Sequence, residues 1–193
     1  MSVIIDFNGY FITASNFVAK EFGIMTVTED SSGAFIDEKG LFKPFCNWND
    51  LPDELQSFYS LVINKLNGIP WESGNISSFD QESIFKNYLK NAKLIIVPNE
   101  LKKKLLMQII GNYKKILCMT DVKYDDIEKL GTNCSNHNNP SENNCAYDNV
   151  TRIKHFLEKT GMAHMLNFEP RGSIREENQS FVNFLVEETF KNN

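Results

Sequence analysis

The sequence has no apolar run approaching the roughly 18 residues of a membrane-spanning helix, so no helical span is expected. Its first residues, MSVIIDFNGYF, lack the basic segment and long apolar stretch of a secretory signal, and none is read there. No segment repeats, and no long linker divides the chain. Net positive charge is also missing: 20 Lys and Arg face 25 Asp and Glu, for a formal charge of −5. A strongly basic nucleic-acid coat is thereby excluded, while a local basic patch remains open. Cysteine is sparse, with four residues at positions 46, 118, 134 and 145. In a chain without a secretory signal, such thiols belong to a metal site or a core more often than to disulfides. The expected compartment is therefore intracellular: the cytoplasm by default, with a perinuclear or nuclear place as the alternative. Tryptophan is rarer still, two residues against 15 Phe, which points to a Phe-rich core.

What remains is the composition of an ordinary folded domain. Apolar residues make up 41% and charged residues 23% of 193 positions, which rules out wholesale disorder. A chain of this length buries roughly 70% of its unfolded surface and fits one domain, here 1–193. Val3-Ile4-Ile5 starts a strand that ends at the turn dipeptide Asn8-Gly9. Phe17–Val27 is apolar on both faces when read as a strand, as in a central strand. Ala34–Asp37 is a third strand, with Lys39-Gly40 as its far turn.

The period then lengthens. Asn49-Asp50 precede Leu51-Pro52, and Leu55, Phe58, Val62 and Leu66 recur at helical spacing up to Gly68. Helices are expected over Gln81–Lys90, Glu100–Ile110, Ala146–Lys159 and Glu176–Lys191. KLIIV (93–97) and KILCM (115–119) read as buried strands. Three strands of antiparallel type, followed by strands alternating with helices, describe an α/β fold with a mixed five-stranded sheet. The ribonuclease H-like fold has this order, as do a few others.

The densest chemistry lies in Cys134-x2-His137-x7-Cys145, within a loop of Asn, Ser and Pro that offers nothing to pack. Two thiols and an imidazole suit tetrahedral Zn²⁺, and Cys145 at a helix start would be favoured as a thiolate. The competing reading is a polar loop with incidental thiols. Glu21 is the candidate fourth ligand, because a carboxylate inside an apolar strand is costly unless paired, protonated or metal-bound. A salt bridge or an exposed strand edge would satisfy it equally.

Asp6 and Asn8 stand where two-metal nucleases carry an acidic pair, often D-x-E. Here the second acid is an amide, a poor Mg²⁺ ligand beside phosphate, and a plain turn role competes. Asn144-Cys-Ala-Tyr-Asp-Asn149 resembles the H-x-A-x-x-D of His-bearing DEDD exonucleases, with Asn at both the His and the Asp positions. Asp148 falls one position off and is expected to point elsewhere. Asp6, Asp121 and Asp125 or Asp126 could still gather one Mg²⁺. Arg152, His155 and Lys159 form a basic helix stripe for a nucleic acid or simply a solvated face. Lys102 to Lys104, Lys114-Lys115, Arg171 and Arg175 are further basic positions, and Trp48, Trp71 and Tyr124 could stack on bases or fill the core. Cys46 and Cys118 read as packing residues.

Glu21, Cys134, His137 and Cys145, in that order, resemble the Glu–Cys–His–Cys signature of the Maelstrom domain, a degenerate relative of DEDD exonucleases. VAKEFGIMTV, LFKPFCNW, IPWESG and CAYDNVTRIKHFL carry the likeness over nearly the whole chain. The resemblance implies a ribonuclease H-like fold and structural zinc held by those four residues, with the exonuclease acids lost. It implies a place in piRNA-type transposon silencing, protein partners in that pathway, single-stranded RNA binding and metal-independent RNA cleavage. Three functions follow as expectations: a zinc-stabilised, catalytically degenerate RNA-binding domain; an active single-stranded RNA nuclease; or a protein-interaction module without nucleic acid.

Overall fold

A computed structural model describes residues 1–13, 16–27, 33, 35–63, 68–112, 115–122, 134, 137 and 145–166. The strands are β1 (Ser2–Thr13), β2 (Asn16–Thr26), β3 (Asp37–Leu41), β4 (Leu94–Val97) and β5 (Ile116–Cys118). The helices are α1 (Asp53–Val62), α2 (Gln81–Leu89), α3 (Glu100–Ile110), α4 (Ala146–Lys159) and the single turn α5 (Met162–Met165). The strands form one five-stranded mixed sheet in the order β3-β2-β1-β4-β5. β1, β2 and β3 pair antiparallel, and β4 and β5 run parallel to β1. The fold class is thus α/β. Among the described residues no helix is long and apolar enough to cross a membrane.

β1 and β2 are buried on both faces, which explains their nearly continuous apolar runs. On one face Phe7, Phe22, Phe42 and Phe85 interlock with ring centroids 5.3 to 5.9 Å apart, under α2 and α3. On the other, Ile4, Met25 and Ile96 meet Val150, Ile153 and Leu157 of α4. A third cluster joins Tyr10, Tyr59, Trp71 and Leu51 at the far end of β1. Removing each such side chain from water is worth roughly 1.5–3 kcal/mol.

Several expectations shift. Asn8-Gly9 is no turn: β1 runs on to Thr13 and carries a register shift between Asn8 and Gly9. A β-carbon on Gly9 would lie 2.0 Å from the Val18 carbonyl oxygen, so glycine there permits close backbone approach rather than reversal. The third strand lies later than expected, and Gly40 sits inside it, against the ring of Phe22. Its charged sequence, DEKGL, suits an exposed sheet edge that must resist further pairing. In α1 the buried residue is Tyr59, while Phe58 points outward, 53% exposed. Leu55 and Val62 keep their expected places against the third cluster, and Tyr59 joins them at i, i+4, i+7 in place of Phe58. By contrast α3 and α4 occupy their expected spans, and α4 buries Ala146, Val150, Ile153 and Leu157.

One buried cation is structural. Lys20 of β2 is only 2% exposed, and its ammonium donates to the carbonyls of Phe42 (3.1 Å), Trp71 (2.6 Å) and Ser73. Burial pulls its pKa down to about 8, against the opposing pull of Glu72. The lysine thereby ties the loop before α2 to the centre of the sheet.

Candidate metal centre

Three features of the sequence bring the ligand groups together. First, β2 turns Glu21 into the interior, where it is 1% exposed. Second, Cys145 is the N-cap of α4, with its Sγ 3.5 Å from the Asp148 backbone N–H. Third, Gly23 lets that helix start sit directly on β2. A β-carbon at Gly23 would lie 2.6 Å from the Tyr147 Cα and 2.9 Å from its nitrogen.

Cys134, His137 and Cys145 converge at this place, their ligand atoms all within 4.8 Å of one another. His137 Nε2 lies 3.1 Å from Glu21 Oε2, and both side chains are buried. Two thiols and an imidazole are donors that a tetrahedral Zn²⁺ takes, with bonds of about 2.0–2.3 Å. The second oxygen of Glu21 is already held. It accepts from Asn8 Nδ2 at 2.6 Å and from the Ala146 backbone N–H at 3.3 Å. Contacts of this kind fix the orientation of the carboxylate. Cys134, His137 and Cys145 can therefore hold a metal ion, and Glu21 lies outside that three-residue group, in contact with His137.

The helix start alone would favour a thiolate at Cys145, but its surroundings oppose one. Burial, followed by the charge of Glu21 and the neighbouring Cys134, pushes the Cys145 thiol far above its ordinary value. The Asp148 backbone N–H pulls the other way. Burial also raises the Asp148 carboxyl, while its bond to Cys145 and the nearby His137 hold it down. A divalent ion inverts such a setting, because it stabilises the thiolates directly.

A second polar cluster lies next door. β4 pairs with β1 only over Ser2, Val3 and Ile4, so β1 continues beyond its parallel neighbour. Asn99 caps α3 there by accepting from the Lys102 backbone N–H at 3.0 Å. The first turn of α3 then carries Lys102 over the ring of Phe7 and onto that unpaired stretch of β1. The Lys102 ammonium lies 2.9 Å from Asp6 Oδ1 and 2.7 Å from Asn8 Oδ1, and it also donates to the Phe7 carbonyl. Asp6 is fully buried, and its other oxygen accepts from Asn149 Nδ2 at 2.8 Å. Asn8 belongs to both clusters, with its amide nitrogen on Glu21 and its amide oxygen on Lys102.

The sequence anticipated the place of Asp6, Asn8 and Asn149 but not their partner. Lys102 stands in a Lys-Lys-Lys run that reads as solvated surface. The turn role for Asp6 and Asn8 gives way to an interior one. Asp148 points away from Asp6 towards Cys145, as its position one residue off predicted. On the α4 stripe, His155 and Lys159 are exposed and Arg152 is half-buried. Trp71 is buried in the third cluster, and Cys46 and Trp48 are half-buried against it. Cys118 is buried and donates to Glu100 at 3.0 Å. Tyr124, Lys114, Asp125, Asp126, Asn144, Arg171, Arg175 and the helix expected over 176–191 lie outside the described residues, as does the side chain of Asp121.

No protein-family model matches the chain, and no curated protein matches it.

Proposed function

We propose that this chain is a zinc-stapled, catalytically degenerate domain of the ribonuclease H-like type, similar to the Maelstrom domain, that binds single-stranded RNA. The observation that carries the reading is Glu21 of β2 standing 3.1 Å from His137, beside Cys134 and Cys145. Those are the four residues of the Glu–Cys–His–Cys order. An antiparallel meander followed by two parallel strands agrees with the same reading of the fold.

The degenerate part rests on the neighbouring cluster. A two-metal hydrolase needs several carboxylates around its ions. Here one carboxylate, Asp6, meets an ammonium and two asparagine amides. Zinc held by four protein groups has no open position for a water nucleophile, so its role is structural. Under this reading the metal joins β2 to the start of α4 across more than a hundred residues of sequence.

RNA is assigned to the outer side of α4, where His155 and Lys159 are exposed beside Lys154 and Arg152. The test is fluorescence anisotropy with a labelled single-stranded RNA at increasing salt. We expect affinity to fall steeply with salt, and a His155→Ala/Lys159→Ala double variant to bind roughly tenfold more weakly with unchanged zinc content. The RNA should remain intact, with the same result for Asp6→Asn. Chelator-resistant cleavage that co-purifies with the protein and is lost in a variant would favour the nuclease. No binding at low salt would favour the protein-interaction module, the reading that the net charge of −5 supports.

A further inference from the structure

The Asp6 cluster has the form of a cation site whose cation is covalently attached. Its acceptors are all oxygens: the Asp6 carboxylate, the Phe7 carbonyl and the Asn8 side-chain oxygen. Such a set is the kind that hard divalent ions select. The three acceptors match the three N–H donors of one ammonium. Burial makes the arrangement obligatory rather than incidental. Asp6 is fully buried and the Lys102 side chain is 15% exposed, so the carboxylate has little water to turn to. Asn149 fills its remaining oxygen but brings no charge. Lys102 is therefore the one group among the described contacts of Asp6 that neutralises it.

We propose that Lys102 is a tethered replacement for a divalent cation, and that removing its ammonium opens a divalent-cation site on the same oxygens. The geometry around β1 explains how this is possible. β4 stops short, leaving the Phe7 carbonyl unpaired on that side, and α3 begins where its first turn can reach it. An ion would sit in the same crevice, at the carboxyl end of a parallel strand, where α/β sheets usually take ligands. The inference does not depend on what Cys134, His137 and Cys145 bind.

The experiment uses the full chain as purified, with its metal content measured first. Mn²⁺ binding is followed by electron paramagnetic resonance in the wild type, Lys102→Met and Lys102→Met/Asp6→Asn, together with thermal unfolding. The wild type should take up no Mn²⁺ at millimolar concentrations. Lys102→Met should unfold about 6–20 °C lower, since it strands a buried carboxylate. It should bind one Mn²⁺ per chain, and the ion should restore much of the lost midpoint. The added Asp6→Asn change should abolish Mn²⁺ binding and itself recover part of the midpoint. If Lys102→Met fails to fold without metal, Mn²⁺ must restore its circular dichroism, and failure to do so overturns the proposal. Asp6-dependent Mn²⁺ uptake by the wild type overturns it as well, as does a folded Lys102→Met that binds none. Mn²⁺ at the cysteine cluster is recognised by its persistence in the double variant.

Discussion

Under the proposed zinc reading, replacing Cys145 with Ser is expected to lower stability by roughly 3–5 kcal/mol and to abolish metal uptake. In a structural site, metal affinity is folding free energy, and a lost thiolate removes a large part of it. For a domain of this size that loss corresponds to a midpoint about 6–20 °C lower. The location of Cys145 sharpens the expectation. It is the N-cap of α4, whose buried face closes one whole side of the sheet. Losing the tether therefore loosens a helix rather than a loop. Cys46→Ser is the control, because Cys46 is half-buried and stands outside the metal group. It should cost about 1 kcal/mol or less. Calorimetry beside zinc analysis reads both variants. Equal midpoints and equal zinc for Cys145→Ser and the wild type would remove the staple from the account.

Gly23→Ala is expected to do comparable damage without touching a ligand. Its new methyl would meet the Cα and nitrogen of Tyr147, and backbone at 2.6 Å cannot rotate aside. The start of α4 must lift away from β2, and with it Cys145 must leave Glu21. We expect a loss of about 3 kcal/mol or more, at the high end for overpacking, because the clash is with backbone. Zinc affinity should fall together with stability. The same substitution at Gly111, where an added β-carbon meets nothing, gives the comparison for backbone effects alone. Gly111→Ala is strained by its φ of +81° but leaves the metal content intact. If Gly23→Ala kept full zinc affinity, close packing of α4 on β2 would not be what forms the site.

How far the sequence reveals this arrangement depends on the range of each interaction. The span and buried stripe of α4 follow from local periodicity alone, and they match residue for residue. Glu21 is legible because a carboxylate in an apolar strand demands a partner, and the Cys/His spacing offers one. The bulge at Gly9 is not legible. Asn-Gly is a strong local turn signal, and only the packing of Val18 against Gly9 overrides it. The outward turn of Phe58 is equally hidden, since Phe58 and Tyr59 both fit the spacing of Leu55 and Val62 and only the packing of Tyr59 on Tyr10 and Trp71 decides between them. Lys102 is the largest omission. Its partner is 96 positions away (102 − 6), and nothing within a Lys-Lys-Lys run distinguishes an interior lysine from a solvated one. The capping residue Asn99, just after the β4 strand, was the available clue to which lysine faces the sheet.

The two clusters share Asn8, so the interior of the sheet holds one continuous polar path from His137 through Glu21 and Asn8 to Lys102, Asp6 and Asn149. Buried networks of this kind specify a unique packing only when every member is satisfied. Zinc would satisfy one end of the path and the Lys102 ammonium the other.

The most direct test is elemental analysis of the purified wild type and of Glu21→Ala. We expect one zinc per wild-type chain and, with Glu21 of β2 proposed as the fourth ligand, zinc substantially reduced or absent in the variant. Folded, zinc-free wild-type protein would contradict it, and so would a Glu21→Ala protein that retains zinc with wild-type affinity.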